Sequence, residues 1–208
     1  MSVFGPPDME DLLGRYVPSA ALAHCLDLWR RYPFALVIAR RRSSRQGDYL
    51  FDRRTGMHRI SVNGDLDPYS FLITYLHEVA HRIMNAQMGL TRVRPHGAEW
   101  QEAFRWAMAP VLNTEVFPEA ILNVLHLHML RPKASTYADP ALVQALGLYR
   151  SVGEGLVYLS NLSADEVFVF RGQRFQKIHH RRTRVLCRHL PSGRRYMIAG
   201  MALVLKVA

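Results

Sequence analysis

Hydrophobic positions in the first third of the chain follow two different periodicities. Apolar residues recur three and four positions apart in PPDMEDLLGRYVP and SAALAHCLDLWRRY, which predicts one or two helices. Short runs with β-branched or alternating apolar residues follow, namely FALVIARR, GDYLFD and HRISVN. Turn residues separate the second and third runs. These runs predict a small, three-stranded, largely antiparallel sheet.

A long helix is predicted directly after this sheet. Asp67 is a good N-cap, Pro68 suits the first helical position, and Gly89 suits the end. A neighbouring stripe of the same helix carries His77 and His81. The stripe that we expect to pack on the sheet consists of Leu72, Leu76, Val79 and Ile83.

The hydrophobic pattern changes from helical to strand-like near residue 155. Before that point three more helices are predicted, over AEWQEAFRWAMAPVL, PEAILNVLHLHML and ALVQALGLY. After it come short strands separated by turn residues, namely LVYLS, EVFVF, QRFQKIH, TRVLCRHL and RRYMIAG. We therefore expect an α+β protein with a main domain over 1–135, a linker with a short helix over 136–154, and a small all-β domain over 155–208.

The net charge of the chain is concentrated in this last domain. The formal net charge is +10, and the residues from Val167 to Ala208 include ten Lys and Arg but no Asp or Glu. Such asymmetry predicts an acidic partner, most often nucleic acid, although a merely solvated basic surface is the alternative. The densest candidates for phosphate contacts are Arg181, Arg182, Arg184, Arg194 and Arg195.

Cysteine content and hydropathy indicate the compartment. Cys25 and Cys187 are isolated and far apart, which fits a reducing environment. No window reaches the ~18 apolar residues of a membrane span, and the N-terminus lacks the pattern of a signal peptide. We expect a cytoplasmic protein with no membrane partner and no small-molecule cofactor.

The stretch YLHEVAHRI carries the chemistry of a metal site. His77 and His81 are four residues apart on one helix face, so both imidazoles can reach one ion. Zinc favours this arrangement because imidazole nitrogen binds it at ~2.0–2.1 Å. Glu78 follows the first histidine and can reach water at the metal as a general base. The alternative is a pair of partly buried histidines bonded to neighbours.

A catalytic zinc site also needs a third protein ligand. The stretch RPHGAEWQ offers His96 at a loop–helix junction, where Gly97 would let the backbone turn and Trp100 would anchor the next helix. Glu99 is the competing ligand, since some zinc hydrolases use a carboxylate there. The ligand types found at catalytic zinc favour His96. The pattern predicts one Zn²⁺ ion.

The segment ISVNGDLDPYSFLITYLHEVAHRI, followed by HGAEWQ, resembles the SprT-like domain over roughly residues 32–106. The resemblance implies a zincin-like metallopeptidase fold, with His77, His81 and His96 as zinc ligands and Glu78 as the catalytic glutamate. Eukaryotic members cleave proteins crosslinked to DNA, and DNA binding activates them. The resemblance thus implies protein substrates, DNA as a partner, and a role in DNA repair or stress response.

The chain departs from that family at its C-terminus. Many SprT-like proteins end in a zinc ribbon with four cysteines, whereas only Cys187 is present here. A mixed site with His179, His180 and His189 is an alternative, but the paired close spacings of a ribbon are missing. We therefore expect a ribbon-like β domain without metal.

Three expectations concern other parts of the main domain. The run HRISVN could be an edge strand that aligns a substrate backbone. Four arginines after the first predicted strand could line the cleft or form a solubilising loop; they are Arg40, Arg41, Arg42 and Arg45. His126 and His128 point to different helix faces, so we expect neither to bind the metal.

Together these patterns favour a zinc metallopeptidase, and the resemblance implies that it acts on proteins bound or crosslinked to DNA. The alternative from another class is a zinc-stabilised nucleic-acid-binding or regulatory protein without relevant peptidase activity. A third hypothesis is a zinc hydrolase that acts on a non-peptide bond.

Overall fold

The computed structural model describes residues 6–42, 44–88, 94–135, 138–147, 156–182, 184–200 and 202–207. The chain divides into two compact units, Met1–Tyr149 and Arg150–Ala208, which we call the N-terminal unit and the β unit. The expected α+β class is confirmed. No helix among the described residues is both long and apolar enough to cross a membrane.

The N-terminal unit contains helices around a small sheet. Its described helices are α1 (Pro6–Gly14), α2 (Ser19–Arg31), α3 (Pro68–Met88), α4 (Ala98–Met108), α5 (Glu119–Leu130) and α6 (Pro140–Gly147). A 3₁₀ turn over Ala109–Val111 extends α4. Its strands are β1 (Ala35–Ala39), β2 (Gly47–Asp52) and β3 (Met57–Asn63).

The prediction of a largely antiparallel sheet is wrong for one of the two strand pairs. The strand order is β1-β3-β2, and β3 is antiparallel to β2 but parallel to β1. Four consecutive residues of β3, from Ile60 to Asn63, are buried. The central position suits this strand because it is covered on both sides. The chain therefore crosses from β1 to the far edge before it returns along β3.

Helix α3 begins where the sequence predicts and lies at the centre of the unit. The Asp67 carboxylate accepts the backbone N–H groups of Tyr69 at 3.1 Å and Ser70 at 2.9 Å, so it caps the helix. All four residues of the predicted apolar stripe are buried, and so are Phe71, Ile73 and Tyr75 on other sides. Such all-round burial arises because α3 packs on the sheet and against α2 and α4. Gly89, the predicted end, lies outside the described residues.

Helix α6 joins the core of the N-terminal unit. The sequence assigned it to a linker over 136–154, but its Leu142, Ala145 and Leu146 belong to the same buried cluster as α3. His128 of α5 is buried, and its Nδ1 lies 2.9 Å from Asp139 Oδ2 at the start of α6. The chain division falls after this helix, at residue 149.

The described residues of the β unit form a six-stranded antiparallel sheet. Its strands are β4 (Leu156–Tyr158), β5 (Val167–Phe170), β6 (Gln173–Arg181), β7 (Arg184–His189), β8 (Arg195–Ala199) and β9 (Leu203–Lys206). The order is β4-β9-β5-β6-β7-β8, so the last strand inserts between the first two. Strand β9 was missed by the sequence analysis. The core includes Phe168 and Phe175.

Candidate metal centre

Three histidines from two elements converge in the N-terminal unit. His77 and His81 lie on α3, and His96 lies in the turn before α4. The Nε2 atom of His96 is 3.0 Å from Nε2 of His81 and 3.2 Å from Nε2 of His77. The ligand atoms of all three lie within 4.8 Å of one another, which is close enough to bind one metal ion.

The donor set fits a metal ion better than a hydrogen-bonded cluster. Ligands of a tetrahedral zinc ion at ~2.0–2.1 Å lie about 3.3 Å from one another, close to the separations found here. A neutral imidazole has one N–H, so three Nε2 atoms facing one point cannot all satisfy each other. The arrangement therefore suits a cation at the common point.

Burial keeps the imidazoles unprotonated. Together with the charges of neighbouring histidines, it lowers the pKa of His77 to about 2 and that of His81 to about 4. Burial also lowers the pKa of His96. At neutral pH all three rings are therefore neutral, which is the form that binds metal.

The turn before α4 obtains its shape from His96 rather than from Gly97. His96 has a φ of +57°, in the left-handed region that histidine enters more readily than most residues. Gly97 has a φ of −72°, so the conformational freedom expected of it is not used. A Cβ on Gly97 would lie 3.1 Å from the Arg94 carbonyl oxygen and 3.2 Å from Glu99 Oε2, so close packing is its role. Glu99, the competing ligand, is exposed and is not in the three-histidine group.

Glu78 is buried beneath the start of β2. Desolvation raises the pKa of its carboxyl to about 8, and the charge of Asp48 adds to this effect. Arg42 and the Tyr49 backbone N–H act in the opposite direction. A Cβ on Gly47 would lie 2.9 Å from Glu78 Oε1, so only glycine leaves room for this carboxyl.

Gly47→Ala is expected to displace Glu78 and to lower any glutamate-dependent catalysis by up to about 100-fold. The added methyl group would also lie 2.7 Å from Thr74 Cγ2, so the surrounding groups must shift. Catalytic rates at equal metal content check this, with Gly14→Ala as the control because its Cβ would make an ordinary 3.6 Å contact with Leu22. A Gly47→Ala protein with the wild-type rate would contradict the packing argument.

The strand beside this site is β2, not the predicted HRISVN strand. β3 contains HRISVN and is the central strand, whereas β2 is an edge strand that packs on α3. Tyr49 of β2 has its ring parallel to that of His81, with centroids 6.3 Å apart. Its hydroxyl lies 2.9 Å from His58 Nδ1, and burial raises its pKa to about 12. Gly47 and Tyr49 are thus site residues that the sequence analysis missed.

The arginine loop after β1 is partly a structural clamp. The Arg42 guanidinium donates to the Asn63 side chain at 2.8 Å and to Ser61 Oγ at 2.9 Å, and it pairs with Asp48. Asn63 Nδ2 in turn donates to the backbone carbonyls of Arg42 and Arg45. These contacts hold the crossover loop against the sheet. The positive charges of Arg42 and Arg45 also lower the pKa of Glu78.

The predicted phosphate-contact arginines fall in two groups on the β unit. Strand register places Arg181 beside Arg184 at one end of β7, with Arg182 in the adjoining turn. Arg195 lies at the other end, about 14 Å away along the strand, with Arg194 preceding it. All five are exposed.

Arg188 extends the second group and was missed. It is exposed, pairs in register with Arg195, and shares the sheet face of Arg184 because the intervening Val185 and Cys187 point into the core. The alternation in RVLCRH could have predicted that Arg184 and Arg188 share one face of the strand. Between the two groups the same face carries His179, Leu186 and Met197.

Among the described residues of the β unit, no second group of metal ligands is found. Cys187 is buried, and burial raises the pKa of its thiol to about 11. The His189 ring instead contacts the side chains of Ser192 at 2.6 Å and Gln173 at 3.1 Å. His179 Nε2 accepts the Nε–H of Arg181 at 3.0 Å.

Comparison of the chain with known proteins gives no match to a family model, a curated protein or a solved structure.

Proposed function

We propose that the protein is a zinc metallopeptidase of the SprT-like, zincin type that cleaves proteins bound or crosslinked to DNA. The observation that carries the proposal is the convergence of three imidazoles beside a buried glutamate. His77, His81 and His96 provide three nitrogen ligands, the number used at catalytic zinc. Bound zinc would supply Lewis-acid chemistry, polarising a carbonyl oxygen and acidifying water.

Glu78 is the proposed general base and acid. A group that gives and takes protons near neutral pH works best with a pKa near that pH, and burial raises the pKa of Glu78 to about 8. In its ionised form the carboxylate would take a proton from the attacking water, and the carboxylic acid so formed would deliver that proton to the leaving amine. Gly47 and Tyr49 hold the carboxyl on one side, since the first leaves space and the second offers its backbone N–H.

The edge strand β2 is the proposed guide for the substrate. An extended peptide can pair with the free side of an edge strand, which aligns its backbone through main-chain hydrogen bonds. β2 packs on α3 and contributes Gly47 and Tyr49 to the surroundings of Glu78 and His81. This arrangement favours a peptide bond over a small non-peptide substrate.

The β unit is the proposed nucleic-acid-binding part. Its β6–β7–β8 face carries arginines at both ends and no acidic side chain, because the chain has no Asp or Glu after Glu166. Phosphates are the natural partner of such a face. Nucleic acid held there would concentrate the enzyme on proteins attached to it.

The proposal is tested by cleavage of a DNA-binding protein substrate with and without single-stranded DNA. Zinc-loaded wild-type protein is expected to cut the substrate, and faster when DNA is present. Absence of cleavage under both conditions at full zinc content would refute the peptidase proposal.

Arg188→Gln combined with Arg195→Gln is expected to weaken single-stranded DNA binding and to make it less salt-dependent. Each lost phosphate contact reduces the slope of log K against log[salt] by about 0.7, so the pair should reduce it by about 1.4. A salt titration of DNA affinity measures the slope. The control, Arg53→Gln with Arg54→Gln, removes two exposed arginines from the β2–β3 turn. Equal slopes for both double variants would contradict the assignment of this face.

The second candidate is a nucleic-acid-binding or regulatory protein whose metal only stabilises the fold. The basic face of the β unit favours it as much as it favours the peptidase. The buried Glu78 distinguishes the two functions, because a purely structural metal site gains nothing from an adjacent ionisable carboxyl. Zinc binding and DNA binding without protein cleavage would support this candidate.

A further inference from the structure

Trp100 is the one described side chain for which we find ring contacts with all three histidines. Its ring centroid lies 4.6 Å from that of His77, 5.5 Å from that of His81 and 4.7 Å from that of His96. The indole is fully buried, and its Nε1–H donates to the His77 backbone carbonyl at 3.4 Å. One residue of α4 thus touches ligands from both α3 and the preceding turn.

Aromatic rings of α4 lie against the three imidazoles. In most metal sites the second nitrogen of a ligating histidine donates to a carboxylate or carbonyl, which fixes the ring plane. Within the described part of the chain, the hydrogen bonds that we find for these three imidazole rings join them to one another. Aromatic contacts also restrict the ring planes, and Trp100 provides a contact to each ring.

Trp100 is itself held rigidly. Phe104, one turn later on α4, stacks on it with ring centroids 5.1 Å apart and also contacts His77. Both rings belong to the main buried cluster. Because a close-packed interior allows few alternative side-chain positions, a fixed indole restricts the three imidazoles that lie against it.

We propose that Trp100 is a positioning residue that presets the three imidazoles for the metal ion. This inference rests on the metal site of the proposed function. Side chains held in the binding geometry lose less conformational freedom when the ion arrives, which increases affinity. Outer residues that hydrogen-bond to ligating histidines typically contribute 10- to 100-fold to metal affinity, and we expect a similar contribution from Trp100.

The test compares Trp100→Phe and Trp100→Leu with Phe117→Leu. Phe117 is also fully buried in the same cluster, but its ring packs against Tyr69. Zinc affinity is measured by chelator competition on protein shown by circular dichroism to be folded. The visible absorption of the Co²⁺-substituted protein reports ligand geometry independently of any activity.

Both Trp100 variants are expected to bind zinc about 10- to 100-fold more weakly and to change the Co²⁺ spectrum. Phe117→Leu should lower the melting temperature but keep the affinity and the spectrum. Trp100→Phe keeps an aromatic ring in the core, so it still tests the positioning role of Trp100 if Trp100→Leu does not fold. Wild-type affinity and spectrum in a folded Trp100 variant would overturn the proposal, as would an equal loss in Phe117→Leu. Absence of zinc binding by the wild type would refute the proposed function instead.

Discussion

Replacement of Glu78 by glutamine is expected to lower the rate of protein cleavage by about 10²- to 10⁴-fold while zinc remains bound. General acid–base catalysis by one positioned side chain contributes a factor of this size. Glutamine has the shape of the protonated carboxyl, so the packing against Gly47 is preserved. The three histidines are unchanged, which is why zinc content should not fall.

The measurement is the cleavage rate of one protein substrate at equal zinc content. Glu102→Gln is the matched control, because it makes the same chemical change at an exposed position of α4. It should cleave at the wild-type rate. A Glu78→Gln protein that retains its activity would remove this residue from the mechanism.

The same substitution is expected to stabilise the metal-free protein at neutral and alkaline pH. The pKa of Glu78 is about 8 in the folded chain, against an ordinary value of 4.5. Between these values the carboxyl is ionised in the unfolded chain but protonated in the folded one. The free energy of unfolding of the wild type therefore falls, relative to that of Glu78→Gln, by about 1.4 kcal/mol per pH unit.

The difference in the free energy of unfolding between Glu78→Gln and the wild type should be absent below pH 4.5 and grow up to about pH 8. Above that pH it should stay constant at a few kcal/mol. Urea unfolding in the presence of a chelator, at several pH values, measures it. Glu102→Gln again serves as the control and should show no such growth. A constant difference between wild type and Glu78→Gln from pH 5 to pH 8 would contradict the raised pKa.

The local parts of the site could be predicted from the sequence because they depend on one helix. The spacing of His77 and His81 and the cap at Asp67 act within a few residues, so periodicity and residue type are sufficient. The prediction of His96 required more information, because its distance from His77 and His81 depends on how α4 packs against α3. Ligand chemistry favoured it over Glu99, and the structure brings it to the other two.

The parts that depend on tertiary packing could not be predicted in this way. Alternation assigns residues of a strand to two faces but does not say which strands are neighbours, so the parallel β1–β3 pair was missed. Gly47 and Tyr49 approach the site only because β2 is the edge strand over α3. For the same reason His58, rather than a residue near in sequence, lies beside Tyr49.

In the β unit, too, some features could be predicted from the sequence and others could not. Five strand segments were predicted from the sequence, but the last strand, β9, was not. Its pairing with β4 and β5 joins residues far apart in the chain. The arginines were predicted as one dense group in sequence, whereas the register of β6, β7 and β8 separates them into two.

The zinc content of the purified protein tests the central claim most directly. After dialysis, mass spectrometry of the metal is expected to find about one zinc ion per wild-type chain. His77→Ala, His81→Ala and His96→Ala should each retain essentially none, whereas Glu99→Gln should keep the wild-type content. Wild-type protein without zinc, or a His96→Ala variant that binds zinc as well as the wild type, would contradict the three-histidine site.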